Sequence, residues 1–354
     1  MTARLAAGTA ARLAAAIPLA VGLLAAAPAA AEDIVWHSEL TFYGDNTEFD
    51  HGPYRIGETI LGGQFQTFLS IGLGPQAEVR AGVFGDHRSG ENAKFLDPVK
   101  PILSFRYKTE HSLGVFGTLE TRNRHGYLEP LEVTTLEFTR PIEYGLQWIE
   151  DRPRFHGEVY INWQHLNTRT SREIFDYGMI LRYDPLDFLS VEAQLHGLHH
   201  GGQLFDVGPV TNNPVLGPGL RVWRDLPFVG EASLRAFYLV SSGKPDPFVE
   251  TPTIRGHGVY VRPAIHPGGW FELFGIWWRG KNFITNEGDH NYGSPGVNGF
   301  YKADRRYGEL GVVKRLTLAR GIDVDPEFRL NWIDGKLDYS YRLVVRAPFD
   351  LKLR

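Results

Sequence analysis

Short runs of alternating apolar and polar residues repeat from Glu32 to the end of the chain. The last two runs, residues 322–332 and 337–349, are separated by the pair Asp334-Gly335. Alternation with a period of two is typical of β-strands whose two faces meet different environments. A two-residue Asp-Gly loop between such runs predicts a β-hairpin with a fixed register.

The predicted hairpin pairs like with like on one face and acid with base on the other. Its cross-strand pairs are Leu330 with Tyr339, Phe328 with Tyr341, Val324 with Val345, Glu327 with Arg342 and Asp323 with Arg346. Two environments explain a sheet with one apolar and one polar face. A soluble antiparallel sheet packs its apolar face on a core, whereas an outer-membrane barrel turns it toward lipid.

About sixteen strands are predicted along the chain. Their approximate spans are 34–43, 58–72, 76–86, 100–109, 112–121, 133–149, 153–165, 172–184, 188–199, 218–224, 229–241, 253–265, 270–281, 304–317, 321–333 and 336–349. Short connections alternate with long ones until the final hairpin. Outer-membrane barrels show the same alternation, with short periplasmic turns and longer extracellular loops. A soluble protein with this many strands would usually divide into two domains, and no linker marks a boundary.

The amino terminus predicts export. Arg4 and Arg12 precede an apolar run at 13–27, and small residues follow up to Ala31. A basic start, a short apolar middle and a small-residue end are typical of a secretory signal peptide. We therefore expect a cleaved signal peptide at residues 1–31 and a single barrel domain at residues 32–354.

Composition removes several classes of function. The chain has no cysteine, which excludes disulfides, thiolate metal sites and a cysteine nucleophile. Its net charge of −4 offers no basic excess for nucleic acid. After the signal peptide no apolar run is long enough for a membrane helix, so a chain that enters the membrane must do so as a barrel. No catalytic motif occurs, and we expect no catalytic residue, metal or cofactor, and no enzyme.

The signal peptide, the absent cysteine, the alternating strands and the two classes of connection together resemble the Gram-negative outer-membrane porin-type barrels. The resemblance implies an all-β, transmembrane, antiparallel up-and-down barrel of about 16 strands (14–18) in the outer membrane. It rests on pattern over residues 32–354. One departure is the chain end, Leu353-Arg354, where members of the class commonly have an aromatic residue.

A barrel of this size encloses an aqueous lumen unless loops fill it. The candidate lumen-lining residues are Glu78, Arg80, Arg106, Glu137, Glu158, Asp176, Arg182, Glu192, Arg235, Glu327, Arg329, Arg342 and Arg346. Both charges are present, so no ring of one sign predicts ion selectivity. These residues either stiffen the wall as cross-strand pairs or orient a polar solute.

The apolar loop 200–217 has two interpretations. It folds into the lumen as a constriction, or it packs on neighbouring loops at the rim.

The sequence favours a porin-like channel for polar solutes. The alternatives are a conduit for the export or uptake of a polysaccharide or oligosaccharide, and a barrel enzyme. The expected partners are membrane lipid or lipopolysaccharide and small polar solutes or saccharides. A homo-oligomer or periplasmic export partners are further expectations, and nucleic acid is not a predicted partner.

Overall fold

One antiparallel sheet closes on itself to form a sixteen-stranded barrel. The computed structural model describes residues 33–50, 52–90, 99–269, 271–318 and 321–354, so the predicted signal peptide lies outside the described residues. Each strand pairs with its neighbours in sequence, and the first strand closes the ring by pairing with the last one, from Val35 opposite Lys352 to Glu48 opposite Tyr339. The predicted fold class is confirmed.

The strand bounds agree with the predicted spans to within five residues, except for the sixth and tenth strands. The strands are β1 (Ile34–Glu48), β2 (Glu58–Gly72), β3 (Ala77–Arg88), β4 (Val99–Lys108), β5 (Ser112–Thr118), β6 (Tyr144–Arg152), β7 (Phe155–His165), β8 (Glu173–Leu186), β9 (Leu189–Gly201), β10 (Thr211–Leu226), β11 (Gly230–Gly243), β12 (Ile254–His266), β13 (Glu272–Lys281), β14 (Asp304–Val313, continued by Leu316–Thr317), β15 (Asp323–Ile333) and β16 (Lys336–Lys352). The connections between them alternate short and long, as predicted, and the final hairpin has the short loop.

Alternation along each strand separates the lipid side from the interior. On β4, exposed Leu103 and Phe105 alternate with buried Ile102, Ser104 and Arg106. Successive strand side chains point to opposite faces, so the outward set forms the apolar belt of the barrel. Among the described residues, no helix has the length and apolar character needed to cross a bilayer.

The final hairpin has the predicted backbone register but different ion pairs. Residues 323–333 and 336–346 pair as expected, with Glu327 opposite Arg342. The Arg342 guanidinium nevertheless donates to Asp45 of β1, at 2.6 and 2.8 Å, and Glu327 accepts from Arg329 on its own strand. Ring closure brings β1 beside β16. Arg342 therefore meets Asp45, a partner that the hairpin alone does not provide.

Strand β10 begins at Thr211, seven residues before its predicted start. The sequence predicted a loop up to residue 217. Pro214 and Pro218 instead both pair in register with β9, opposite Gly197 and Ala193, although proline cannot donate to a ladder.

The remaining loop, residues 202–210, lies at the surface. Leu204 is 75 % exposed, and Asn167 of the neighbouring loop bonds the backbone of Leu204 and Phe205. Of the two interpretations of residues 200–217, these contacts support packing on a neighbouring loop at the rim and not a constriction of the lumen.

Residues 133–143 are not the start of a strand, contrary to prediction. They contain a short helix, α1 (Leu136–Thr139), and β6 begins at Tyr144. Val133, Thr134 and Thr135 have high strand propensity. Their segment lies inside the barrel, however, where Leu131 and Phe138 are fully buried, and packing overrides the propensity.

The two longest connections fill much of the barrel interior. Residues 119–143 form the first inner segment and residues 282–303 form the second inner segment. Leu131, Phe283 and Tyr292 from these segments join one apolar cluster with wall residues such as Tyr260 and Trp278. Over part of the barrel's cross-section, the interior is therefore packed with side chains and is not an open, water-filled lumen.

Candidate functional site

A cavity of about 400 Å³ lies between the first inner segment and the wall formed by β1–β5, β15 and β16. One side is apolar and is lined by Phe68, Phe84, Ile102, Leu119, Leu136, Phe138 and Ile142. The other side is charged and is lined by Arg80, Arg106, Glu120, Arg124, Glu132, Glu137, Arg140, Glu143 and Arg346. The volume falls within the usual range for small-molecule sites, and the mixed lining suits an amphiphilic ligand.

The first inner segment is fastened to the wall by hydrogen bonds from its backbone and side chains. The Leu128 N–H donates to Gln194 Oε1 at 3.0 Å, and Arg329 donates to Glu129 at 3.1 Å. Burial by itself would raise the pKa of Glu129. Nearby arginines, above all Arg329, outweigh this effect and lower the pKa to about 2. These contacts fix the segment that forms one wall of the cavity.

Glu132 is a buried carboxyl group that lines the cavity. The residue is 2 % exposed, and its Oε2 makes no hydrogen bond to the described residues. Burial raises the pKa of Glu132 to about 7, because a charged carboxylate loses its hydration there. A carboxyl group with this pKa can both accept and release a proton near neutral pH.

Two guanidinium groups accompany Glu132 in the cavity. Arg124 donates to the carbonyl oxygen of Glu132. Arg140 lies 2.5 Å from Glu287 of the second inner segment, whereas its Nε and Nη2 are buried and form no hydrogen bond to described residues. Burial alone would lower the pKa of Arg140, but Glu287 and other carboxylates raise it. Arg140 therefore offers two free N–H donors to an anion or oxyanion.

His125 is adjacent to the cavity but is unsuited to act as a base. Its ring stacks on Tyr160 with centroids 4.0 Å apart, and its nitrogens contact Glu158 and, at 3.1 Å, Glu143. Burial would lower the pKa of His125, yet the two carboxylates raise it to about 10. An imidazolium with both N–H groups donated holds the segment in place.

The thirteen residues predicted to line the lumen occupy different places. Arg80, Arg106, Glu137 and Arg346 line the cavity, and Glu327, Arg329 and Arg342 line a second, smaller cavity. Glu158 and Asp176 are buried, Glu78 pairs with Arg80, Glu192 pairs with Arg235, and Arg182 stays half exposed near Asp184. That they line a conducting pore stays a prediction.

The position of Glu137 corrects one expectation, and four other residues of the site were not predicted from the sequence. Glu137 lies on α1 of the first inner segment instead of on a wall strand. Sequence reasoning also missed Glu132, Arg124, Arg140 and His125. The available signal was the length of their connection, since loops this long inside a compact domain are usually functional.

Comparisons with known proteins give a family and a fold. The model of a family described as lipid A 3'-O-deacylase-type matches residues 27–354. A search of curated proteins finds no match.

Two solved structures share the barrel. One is OmpTΔL8, a loop L8 deletion mutant of the Vibrio cholerae outer membrane protein OmpT, with a TM-score of 0.56, 10% identity, and coverage of 89% of this chain and 99% of that chain. The other is Acinetobacter baumannii OccAB1, with a TM-score of 0.54, 9% identity, and coverage of 93% and 99%. At this identity the likeness shows the fold alone.

These findings confirm the predicted class and location but overturn one expectation. The protein is a Gram-negative outer-membrane β-barrel. The expectation that it is no enzyme is wrong, because the matching family is an enzyme family by its description. Catalytic groups that come together only in the fold leave no short motif in a sequence, so the absence of a motif did not exclude an enzyme.

Proposed function

Because the chain belongs to the lipid A 3'-O-deacylase-type family, we propose that it is an outer-membrane hydrolase that cleaves an ester-linked acyl chain from a lipid A-type glycolipid. The observation that supports a site is the buried carboxyl of Glu132 in an amphiphilic cavity that Arg124 and Arg140 also line. The residues of this cavity supply a proton acceptor, oxyanion donors and an apolar slot.

The proposed reaction is general-base ester hydrolysis. The Glu132 carboxylate takes a proton from a water molecule, and the water oxygen attacks the ester carbonyl carbon. The free N–H groups of Arg140 donate to the oxyanion that forms. As the bond to the leaving alcohol breaks, Glu132 returns its proton to the alcohol oxygen. The products are a carboxylic acid and an alcohol, so atoms and charge balance.

The lining of the cavity supports the substrate class. Phe84, Ile102 and Phe138 form part of an apolar side that can hold hydrocarbon, where burial of each methylene contributes roughly 0.8 kcal/mol. Arg124 and Arg140 suit the phosphate or carboxylate groups of an anionic glycolipid. A purely polar solute would not use the apolar side.

Mass spectrometry of lipid A incubated with the full chain purified in detergent tests the proposal. We expect release of a free fatty acid and a lipid A product lacking one acyl chain. Glu132→Gln should lower the rate by about 10²–10⁴-fold, the usual contribution of a general base. The matched control is Glu192→Gln, which removes a buried carboxylate paired with Arg235 outside the cavity. No fatty acid release by the wild type, or an unchanged rate in Glu132→Gln, contradicts the proposal.

A second candidate function is passage of polar solutes or saccharides through the barrel. The interior Arg and Glu residues and the fold shared with OmpTΔL8 and OccAB1 favour it. Planar-bilayer recordings test it: a conducting channel supports passage, block by added oligosaccharide supports the saccharide conduit, and a lack of conductance rejects both. Homo-oligomers and periplasmic export partners stay predictions.

A further inference from the structure

We propose that Asp176, His196 and Glu287 bind a divalent metal ion that fastens the second inner segment to the barrel wall. Asp176 lies on β8, His196 on β9 and Glu287 on the second inner segment. One ligand atom from each residue lies within 4.8 Å of the other two, and all three residues are buried. The sequence predicted no metal site, because these residues are far apart along the chain.

Each carboxylate of this cluster has one oxygen that is bonded to residues outside the cluster and one oxygen that faces His196. Asp176 Oδ1 accepts from Asn162 at 2.7 Å and from Gln164 at 2.8 Å. Glu287 Oε1 accepts from Gln164 at 3.0 Å and contacts Arg140 at 2.5 Å. By contrast, His196 Nε2 and Glu287 Oε2 are buried and contact each other at 3.2 Å, and neither has a hydrogen-bond partner outside the cluster among the described residues. Orientation of one carboxylate oxygen by outer partners while the other stays free is typical of metal ligands.

The spacing of these free atoms fits one ion. His196 Nε2 lies 3.2 Å from Glu287 Oε2 and 3.9 Å from Asp176 Oδ2. Two ligands of a tetrahedral zinc ion with bonds of about 2.0–2.1 Å are about 3.3 Å apart. The His196–Glu287 distance therefore matches this separation and the His196–Asp176 distance is longer by about 0.6 Å, so a shared ion would draw Asp176 closer and leave a fourth position open.

Ligand type and charge indicate the class of metal. One imidazole nitrogen and two carboxylate oxygens suit zinc or manganese better than copper(I), which prefers sulfur ligands. Asp176 and Glu287 bring two buried negative charges, and Arg140 offsets one of them. A divalent cation supplies two positive charges and so offsets the remaining negative charge in full, which removes the large cost of an uncompensated buried charge.

The ion would connect the β8–β9 hairpin, which carries Asp176 and His196, to Glu287 of the second inner segment. Because the Val133 N–H donates to the Glu287 carbonyl at 2.8 Å, a fastened Glu287 also steadies the first inner segment. The inference does not depend on the proposed hydrolysis, since its test measures metal content and stability.

The experiment uses the full chain purified in detergent without a polyhistidine tag, treated with a chelator and then titrated with Zn²⁺ or Mn²⁺. We expect a single ion per chain by elemental mass spectrometry after gel filtration, and a higher midpoint of thermal unfolding with metal. His196→Gln should weaken binding by more than about 100-fold, since it removes a direct ligand. The control is His199→Gln, which removes a histidine of the same strand that bonds Asn212 and faces outward.

Gln164→Ala keeps the experiment decisive if His196→Gln does not fold. This variant retains all three ligands and removes a hydrogen bond from each carboxylate, so its affinity should fall about 10–100-fold. A wild-type chain that retains no ion, or equal affinity in the wild type and the foldable variant, overturns the proposal.

Discussion

The guanidinium of Arg140 lies 2.5 Å from the carboxylate of Glu287, and this buried contact joins the two inner segments of the barrel. Two backbone bonds run parallel to it: the Val133 N–H donates to the Glu287 carbonyl, and the Asp289 N–H donates to the Glu129 carbonyl, both at 2.8 Å. The interior is therefore one connected unit, and the cavity beside Arg140 depends on both segments.

Arg140→Ala should destabilise the barrel interior. The substitution removes one of the two basic partners of the buried Glu287 carboxylate and leaves only His196, and loss of one partner of a buried pair costs about 3–5 kcal/mol. Thermal unfolding in detergent measures the change. The double variant Arg140→Met/Glu287→Gln removes both charges and should recover much of the loss; a double variant less stable than Arg140→Ala would contradict this account.

Hydrolysis should depend on pH through Glu132. Burial raises the pKa of this carboxyl to about 7, and a general base must be deprotonated to act. The rate of fatty acid release should therefore rise as the pH increases through about 7 and then level off. A rate that is flat between pH 5 and pH 9 would exclude Glu132 as the base.

The same shift predicts a pH-dependent stability. The pKa of Glu132 is about 7 in the folded chain against a usual value of 4.5, so the folded state holds the proton more tightly. The stabilisation is complete below pH 4.5 and is lost as the pH rises through 7, by on the order of 3 kcal/mol. Denaturant unfolding at several pH values should show this decline in the wild type and a smaller one in Glu132→Gln; identical profiles would count against the shift.

Removal of the first inner segment should open the barrel. Thr118 and Tyr144 pair directly across β5 and β6, so a short Gly-Ser linker can replace residues 120–142. A sixteen-stranded barrel without an inner segment encloses a wide aqueous lumen, and single-channel conductance should rise several-fold. Deletion of residues 203–209 from the surface loop is the control and should leave conductance unchanged. Equal conductance in both variants would show that the segment does not restrict the lumen.

A charge on the outer belt should be costly where lipid is the solvent. Leu103 is 61 % exposed in the middle of β4, and an arginine facing the bilayer midplane costs about 2–4 kcal/mol. Leu103→Arg should lower the free energy of unfolding in liposomes by this amount. Leu204→Arg, in the exposed loop, should have little effect; equal effects would contradict a lipid environment for β4.

Strand positions could be predicted closely because their signals are local. The Asp334-Gly335 turn sets the register of β15 and β16, and the predicted pairs from Asp323–Arg346 to Leu330–Tyr339 are all present. The partners of the charged side chains were harder to predict. Arg342 bonds Asp45, a residue that only ring closure brings near.

The candidate site was largely beyond prediction. Residues 133–143 carry strand-like side chains, and nothing in their local pattern distinguishes a wall strand from a segment folded inside the barrel. Glu132 has an ordinary sequence context. Its unusual pKa comes from burial, which depends on the wall strands around it.

The order of residues alone thus determined the number of strands, their pairing and the face that each side chain presents, because these follow from period two and from turns between neighbours in sequence. Only the closed tertiary structure decided what fills the interior, which arginine meets which carboxylate, and where a cavity remains. Those outcomes depend on contacts between residues far apart in the chain, whose energies are set by burial and by the partners that ring closure supplies.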